Sequence, residues 1–508
     1  MGATDILVLP FFGQGHLNPS VELCKRLASC SESKVILIIP SLLSSSVPLT
    51  LHKNNPSIEV LQIDVSHSQP PPLHPPGSDG ARIANGRDPV PDPEHGNRMM
   101  GKGIEGFLAE RYKRVTGPTR PSCVVMDLMM SWSKEIFLRE SIPIVSFFSC
   151  GAASTAMEYA AWKAQAHDMR PGETRVLTGL PDSVVLEYSD TKRRSLGGPP
   201  PEELIHGENG PDFGIRDPGQ APRWLEDGDD SAALLLNTCH ELEGPFLNYI
   251  SNQVNKPVFG VGPLLPDTYW KSIGTVFHDR DSRSNRKSNY TEDEVTQWLD
   301  SKPSKSVIYI SFGSEVGPDI EEYGQLADAL GDSKWPFIWV IQPGSGKPKL
   351  PPSVFGEKHD SNEKDEGFYP EGLDEKVGNR GIVIKGWAPQ LLILSHPSTG
   401  GFLSHCGWNS TVEATGRGVP ILAWPIRGDQ YYNAKFVVDY LKTGIMVATG
   451  ENLTKMVKKS DIIQGIDSLM DDKEIHKRAV KIEGTFESGF PSSSTDSIKE
   501  LIEFVNNI

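Results

Sequence analysis

The sequence predicts an α/β protein made of two doubly wound domains that face one another across a cleft. Three observations carry that reading. Each half of the 508-residue chain alternates continuous apolar runs of strand length with amphipathic helical stretches, the pattern of parallel sheets covered on both faces. A stretch beginning at Pro263-Leu-Leu-Pro266 and polar up to Thr291 separates the halves, and either half is long enough to bury a full core. In both halves, polar and glycine-containing turns lead from an apolar run into a helix, which places ligand-binding groups in a cleft at the strands' carboxyl ends.

Taken in order, Ile6–Phe12, Val35–Ile39, Val124–Met126, Ile144–Phe148 and Ala233–Leu236 read as strands of the first sheet. Val21–Ala28 and Trp132–Arg139 read as helices between them. Residues 66–97, dense in Pro, His and Gly, and the irregular 168–230 are expected as surface loops that shape a ligand mouth. In the second half Val307–Ser311 is a strand, Ile320–Leu330 a helix and Phe337–Ile341 a strand. Pro343 ends this last strand because it has no N–H to give to a ladder. After a charged insertion at 344–368 come strands at Ile382–Lys385, Gly401–Ser404 and Val419–Ala423, and a closing helix at Ser494–Val505. The expected division is an N-terminal domain at 1–262, a linker at 263–305 and a C-terminal domain at 306–485. Residues 486–508 are expected to fold back onto the first domain.

The formal charge of −16, with no Lys/Arg cluster, speaks against nucleic acid as a partner. Six scattered cysteines (Cys24, Cys30, Cys123, Cys150, Cys239, Cys406) form no CxxC pair and suit a reducing compartment. No secretory leader is legible, and no run reaches the roughly 18 apolar residues of a membrane span. The expectation is a cytoplasmic protein without stable membrane insertion, so the Asn289, Asn409 and Asn452 glycosylation patterns are read as silent.

Residues 387–430 concentrate the chemistry. Trp387 offers an aromatic face for a base, Gly400-Gly401 opens an apolar step, and His405-Cys-Gly-Trp-Asn-Ser410 starts a helix with Glu413 one turn on. Such a helix N-terminus presents unpaired N–H groups and the positive end of its dipole to an anion. Other roles fit the same residues. Ser410-Thr-Val-Glu413 matches a capping box, Trp387 could be a core residue, and Asp429 could be a helix-start acid. In the N-terminal half, Gly13-Gln-Gly15-His16 follows the first strand and precedes a helix, which puts His16 at the sheet's carboxyl edge. An imidazole there can take a proton near neutral pH, and Asp127 at the end of its own strand is the candidate partner that fixes the tautomer.

The stretch resembles the signature box of plant family-one UDP-glycosyltransferases: WAPQ, HPSTGGFLSHCGWNS, Glu413, the GVP turn and the final Asp429-Gln430. FFGQGHLNPS, PSCVVMD (121–127), LNTCHELE (236–243) and SVIYISFGS (306–314) resemble segments placed in the same order in that family. The resemblance implies two Rossmann-like domains of GT-B type and a donor site on the C-terminal one. Trp387 would stack on uracil, with Gln390 near base and ribose, and Ala388 and Trp408 would also belong to the donor site. Glu413 would accept from the ribose hydroxyls. His405, Asn409, Ser410 and Ser314 would hold the diphosphate, and Asp429 and Gln430 the sugar. Ser149 falls where the family has a hydroxyl near the sugar.

The implied activity is transfer of a sugar, expected from UDP-glucose, to a hydroxyl of a small, largely apolar flavonoid, phenolic or terpenoid acceptor. His16 would be the general base and Asp127 its partner, with inversion at the anomeric carbon. O- and C-transfer are left open, and the alternative is a non-catalytic binder of a nucleotide sugar that kept the donor box. No metal is expected. Asp227-Gly-Asp229-Asp230 and Asp279-Arg-Asp281 read as solvated turns. A redox dinucleotide is not expected either, since Asn18 stands where a third glycine would be. A monomer is the expected state.

Overall fold

The computed structural model describes residues 5–48, 50–65, 93–114, 120–191, 219–278, 287–346, 367–450, 453 and 455–508. Among them the N-terminal half supplies β1 (Ile6–Leu9), β2 (Val35–Pro40), β3 (Ile58–Ile63), β4 (Cys123–Asp127) and β5 (Ile144–Phe148). A small antiparallel hairpin follows, β6 (Thr174–Val176) and β7 (Val185–Glu187), then β8 (Ala233–Leu236) and β9 (Val258–Gly260). The C-terminal half supplies β10 (Val307–Ser311), β11 (Phe337–Ile341), β12 (Gly381–Lys385), β13 (Thr399–Ser404), β14 (Ile421–Ala423) and β15 (Gly444–Met446). Apart from that hairpin, the described strands form two sheets, in the orders β3-β2-β1-β4-β5-β8-β9 and β12-β11-β10-β13-β14-β15. Every pairing in both is parallel.

The continuous apolar runs have a direct cause: alternate residues of one strand enter different cores. Ile6 and Val8 of β1 pack with Leu37 and Val125 under one face, while Leu7 and Leu9 pack with Ile36, Val124 and Met100 under the other. In the second sheet Ile308 and Ile310 part in the same way from Val307 and Tyr309. The helix Ser492–Val505 places Ile498, Leu501 and Val505 in the N-terminal core, so the chain's end returns across the molecule. Aromatic packing joins the two halves, with Phe246 at 5.8 Å from Phe436 and 5.0 Å from Tyr440 between ring centres.

Several sequence expectations change. β1 stops at Leu9 because Pro10 cannot extend a ladder, so Phe11 and Phe12 belong to the turn above it. The following helix is Gln14–Cys30, longer than Val21–Ala28, and it carries Pro19 inside. Trp132–Arg139 divides into a 3-10 turn, Leu128–Ser133, and a helix, Lys134–Arg139. β14 begins at Ile421, after Pro420, rather than at Val419. β3, β6, β7, β9 and β15 were not foreseen. Of the stretch 66–97, residues 66–92 lie outside the described residues and the rest opens the helix Pro93–Arg114. Residues 192–218 and 347–366, in the other two expected loops, also lie outside. The segment after Pro266 is no bare linker: it forms the helix Asp267–Lys271, which buries Tyr269 and Trp270. All six cysteines are free. No helix among the described residues is long and apolar enough to cross a membrane.

Candidate active site

The residues singled out in the sequence converge on the cleft because their strands end there. His16 follows β1, Asp127 closes β4, and Ser149 follows β5. Ser314 follows β10, His405 to Ser410 follow β13, and Asp429 and Gln430 follow β14.

On the N-terminal side, His16 Nδ1 lies 2.8 Å from Asp127 Oδ2. Asp127 is buried, and its other oxygen accepts the backbone N–H of Met129 at 3.0 Å, which locks the carboxylate against the 3-10 turn. Phe11 meets the imidazole edge-on at 5.1 Å. With the Nδ1 proton directed at Asp127, Nε2 is the atom able to take a proton from a substrate. Burial disfavours the imidazolium, but the charge and hydrogen bond of Asp127, with Glu315 and Asp429 behind it, outweigh burial and raise the His16 pKa. Ser149 Oγ sits 3.0 Å from the same Nδ1.

On the C-terminal side, the helix Trp408–Thr415 starts from Gly407 with no side-chain cap, leaving its first N–H groups for a ligand. The capping-box reading is therefore overturned: Ser410 and Glu413 lie inside the helix, and both bind Gln390 instead. Gln390 Nε2 donates to Ser410 Oγ at 3.0 Å and to Glu413 Oε2 at 2.5 Å, while Tyr309 donates its hydroxyl to Gln390 Oε1 at 3.0 Å. Trp387 is half-buried rather than a core residue, and its indole N–H has no partner among the described residues; Ala388 beside it is buried.

His405 is buried with its Nδ1 unpartnered, and burial pushes its pKa down to about 4, with Arg427 adding to the effect. It is thus a neutral imidazole at pH 7. Glycines make its seat. A Cβ on Gly313, whose φ is +76°, would come within 2.9 Å of the ring, and one on Gly407 within 2.5 Å. Ser314 is exposed in the turn after Gly313. Asp429, half-buried, accepts from Asn433 Nδ2 at 2.9 Å and makes no side-chain cap to the helix Gln430–Lys435. Gln430 Oε1 accepts the backbone N–H groups of Ile426 and Arg427, each at 3.0 Å, which leaves its amide nitrogen to donate.

Two box residues make hydrogen bonds across to the N-terminal half. Trp408 is buried and donates its indole N–H to the backbone oxygen of Asn237 in the N-terminal half, at 2.7 Å. Asn409 Nδ2 donates to the Gly15 carbonyl at 2.9 Å. Sequence reasoning also missed Glu315, which lies against Gly13 and 3.5 Å from the Arg427 guanidinium. Its only signal was a charge beside a recognised turn. Of the acid pairs, Asp227 accepts from Ser131 and Arg223, and Asp230 pairs with Lys134 at 2.6 Å. Asp279 and Asp281 lie outside the described residues.

The family model described as UDP-glucuronosyl and UDP-glucosyl transferase matches residues 281–505. UDP-glycosyltransferase 73B3 of Arabidopsis thaliana is 28% identical over 488 residues, covering 93% of this chain and 91% of its own. Anthocyanin 3'-O-beta-glucosyltransferase of Gentiana triflora is 27% identical over 492 residues, with 93% and 91% covered. Among solved structures, Glycyrrhiza uralensis UGT73P12, complexed with glycyrrhetinic acid 3-O-monoglucuronide, superposes with a TM-score of 0.71 at 25% identity, over 99% of this chain and 96% of that one. TcCGT1 in complex with UDP shares the fold, with a TM-score of 0.69 at 22% identity and full coverage of both chains.

Proposed function

We propose that this chain is a UDP-glycosyltransferase of the plant type, an enzyme that moves a sugar from a UDP-sugar to a small molecule, with His16 as its general base and Asp127 the partner of that base. The observation that carries the assignment is the 2.8 Å His16–Asp127 contact at the sheet's carboxyl edge, opposite the helix that starts at Trp408. An acceptor hydroxyl gives its proton to His16 Nε2 as its oxygen attacks the anomeric carbon. The bond from that carbon to the UDP oxygen breaks, UDP leaves with the electron pair, and the configuration inverts. Asp127 stabilises the imidazolium formed in this step.

On the donor side, Trp387 stacks on uracil and Glu413 accepts from the ribose hydroxyls, with Ala388 and Gln390 alongside. The N-terminus of the Trp408–Thr415 helix, Ser410, Ser314 and the neutral His405 meet the diphosphate. Asp429 accepts from sugar hydroxyls and Gln430 donates to a sugar oxygen, which suits glucose. No metal is needed for this leaving group, since preorganised N–H donors supply the electrostatic term. The acceptor proposed is a flavonoid, phenolic or terpenoid hydroxyl, consistent with the anthocyanin-acting relative.

The test is UDP release from UDP-glucose across a panel of phenols and terpenoids. Acceptor-dependent release with at least one compound is expected. Tight UDP binding with no release for any acceptor would instead favour a protein that only binds the nucleotide sugar.

A further inference from the structure

The base and the donor box lie on different halves of the chain, yet a reaction between them tolerates little error: a misplacement of about 1 Å can cost about 100-fold in rate. Two hydrogen-bonded routes cross from the start of the Trp408–Thr415 helix to the turn that bears His16. The first runs from Trp408 Nε1 to the Asn237 backbone oxygen at 2.7 Å and from Asn237 Nδ2 to the Ser149 carbonyl at 3.1 Å, and it closes where the His16 Nδ1–H, shared with Asp127, lies 3.0 Å from Ser149 Oγ. Asn237 is held in turn: its Oδ1 accepts Leu264 N–H at 2.7 Å, and its own N–H donates to Phe148 O at 3.1 Å. The Trp408 ring fits because residue 151 is glycine, where a Cβ would stand 2.6 Å from a ring carbon.

The second route begins with a proline. Pro19 lies inside the helix Gln14–Cys30 and has no N–H, so the carbonyl of Gly15, four residues back, lacks its helical partner. That carbonyl takes the side-chain N–H of Asn409 instead, at 2.9 Å, one residue from the base.

We propose that Trp408 and Asn409 are positioning residues that set the distance between the diphosphate end of the donor site and His16, with Asn237 and Pro19 as their counterparts in the N-terminal domain. The helix that would hold the leaving group and the turn that carries the base then move as one body. This rests on His16 being the base.

Pro19→Ala and Trp408→Phe test it, read by kcat, by the UDP dissociation constant and by the acid limb of the pH–rate profile. Pro19→Ala restores an N–H that competes with Asn409 for Gly15, and Trp408→Phe keeps an aromatic ring but removes the donor. Each is expected to lower kcat about tenfold or more with the UDP dissociation constant within about twofold, and Trp408→Phe is expected to displace the acid limb. Combining Trp408→Phe with Ser149→Ala is expected to cost less than the product of the two losses, because both cut one route. Combining Trp408→Phe with Pro19→Ala should multiply them. Unchanged kcat in both single variants, or a loss carried by UDP affinity alone, would overturn the proposal. If Trp408→Phe fails to fold in a thermal melt, Pro19→Ala decides alone, since it adds a helical hydrogen bond. Full turnover in His16→Ala, measured alongside, would instead point to failure of the base assignment.

Discussion

The two sides of the cleft are assembled in opposite ways. The C-terminal side draws most of its polar groups from residues 387–430, and these groups are already tied together: Gln390 holds both Ser410 and Glu413, while the turn N–H groups of Ile426 and Arg427 hold Gln430. The N-terminal side gathers single residues from three strand ends, with His16 lying 111 positions from Asp127 and 133 from Ser149. A contiguous, pre-paired site suits a ligand that stays the same, such as a nucleotide. A site made of single residues around one charged contact suits one fixed chemical step on varied acceptors. Substitutions should therefore separate, with turnover lost on one side and donor affinity on the other.

The largest expected effect is on the N-terminal side. Asp127→Asn keeps the shape but removes the charge that stabilises the imidazolium, and kcat is expected to fall about 100- to 10,000-fold with UDP affinity unchanged. Steady-state kinetics paired with calorimetric UDP titration would show it; a change in UDP affinity alone would break the division.

Glu413→Ala comes next and should act the other way. Loss of charge-assisted hydrogen bonds of about 1.5–3 kcal/mol predicts donor binding weaker by about 10- to 150-fold, with little change in acceptor KM. An effect confined to the acceptor would contradict its placement.

A smaller effect crosses the cleft. The His16 pKa is raised, and a base of the proposed kind acts in its neutral form, so kcat/KM should rise with pH through a limb lying above the ordinary imidazole value. Glu315 is one cause of that rise, so Glu315→Gln should move the limb to lower pH. A limb that stays in place would remove Glu315 from the account. The smallest expected effect is none: EDTA should leave turnover intact, and its loss would call for a metal at the diphosphate.

The central architecture was legible in the sequence because a strand flanked by strands is buried on both faces and shows an unbroken apolar run. β5, β8, β10 and β11 lie where such runs predict them. β3, β9 and β15 were missed for the complementary reason: each is at a sheet edge. β3 carries Glu59 and Gln62 toward solvent, and the other two are three residues long and contain glycine. His16 and Asp127 could be placed because Asp127 closes a strand and His16 follows one into a helix. Their junction with Trp408, Asn409 and Asn237 could not, because a hydrogen bond between residues 171 or 394 positions apart leaves no mark in local pattern. Pro19, which lies ahead of the helix Val21–Ala28 expected from the sequence, gave no hint of which group would take the freed carbonyl.

The measurement that bears most directly on the division of the cleft is a pair of readings on His16→Ala: turnover with UDP-glucose and a competent acceptor, and the UDP dissociation constant. Loss of turnover by about 100-fold or more, with UDP bound as tightly as before, is the predicted result. Turnover equal to the parent protein, or UDP binding lost together with turnover, would contradict it.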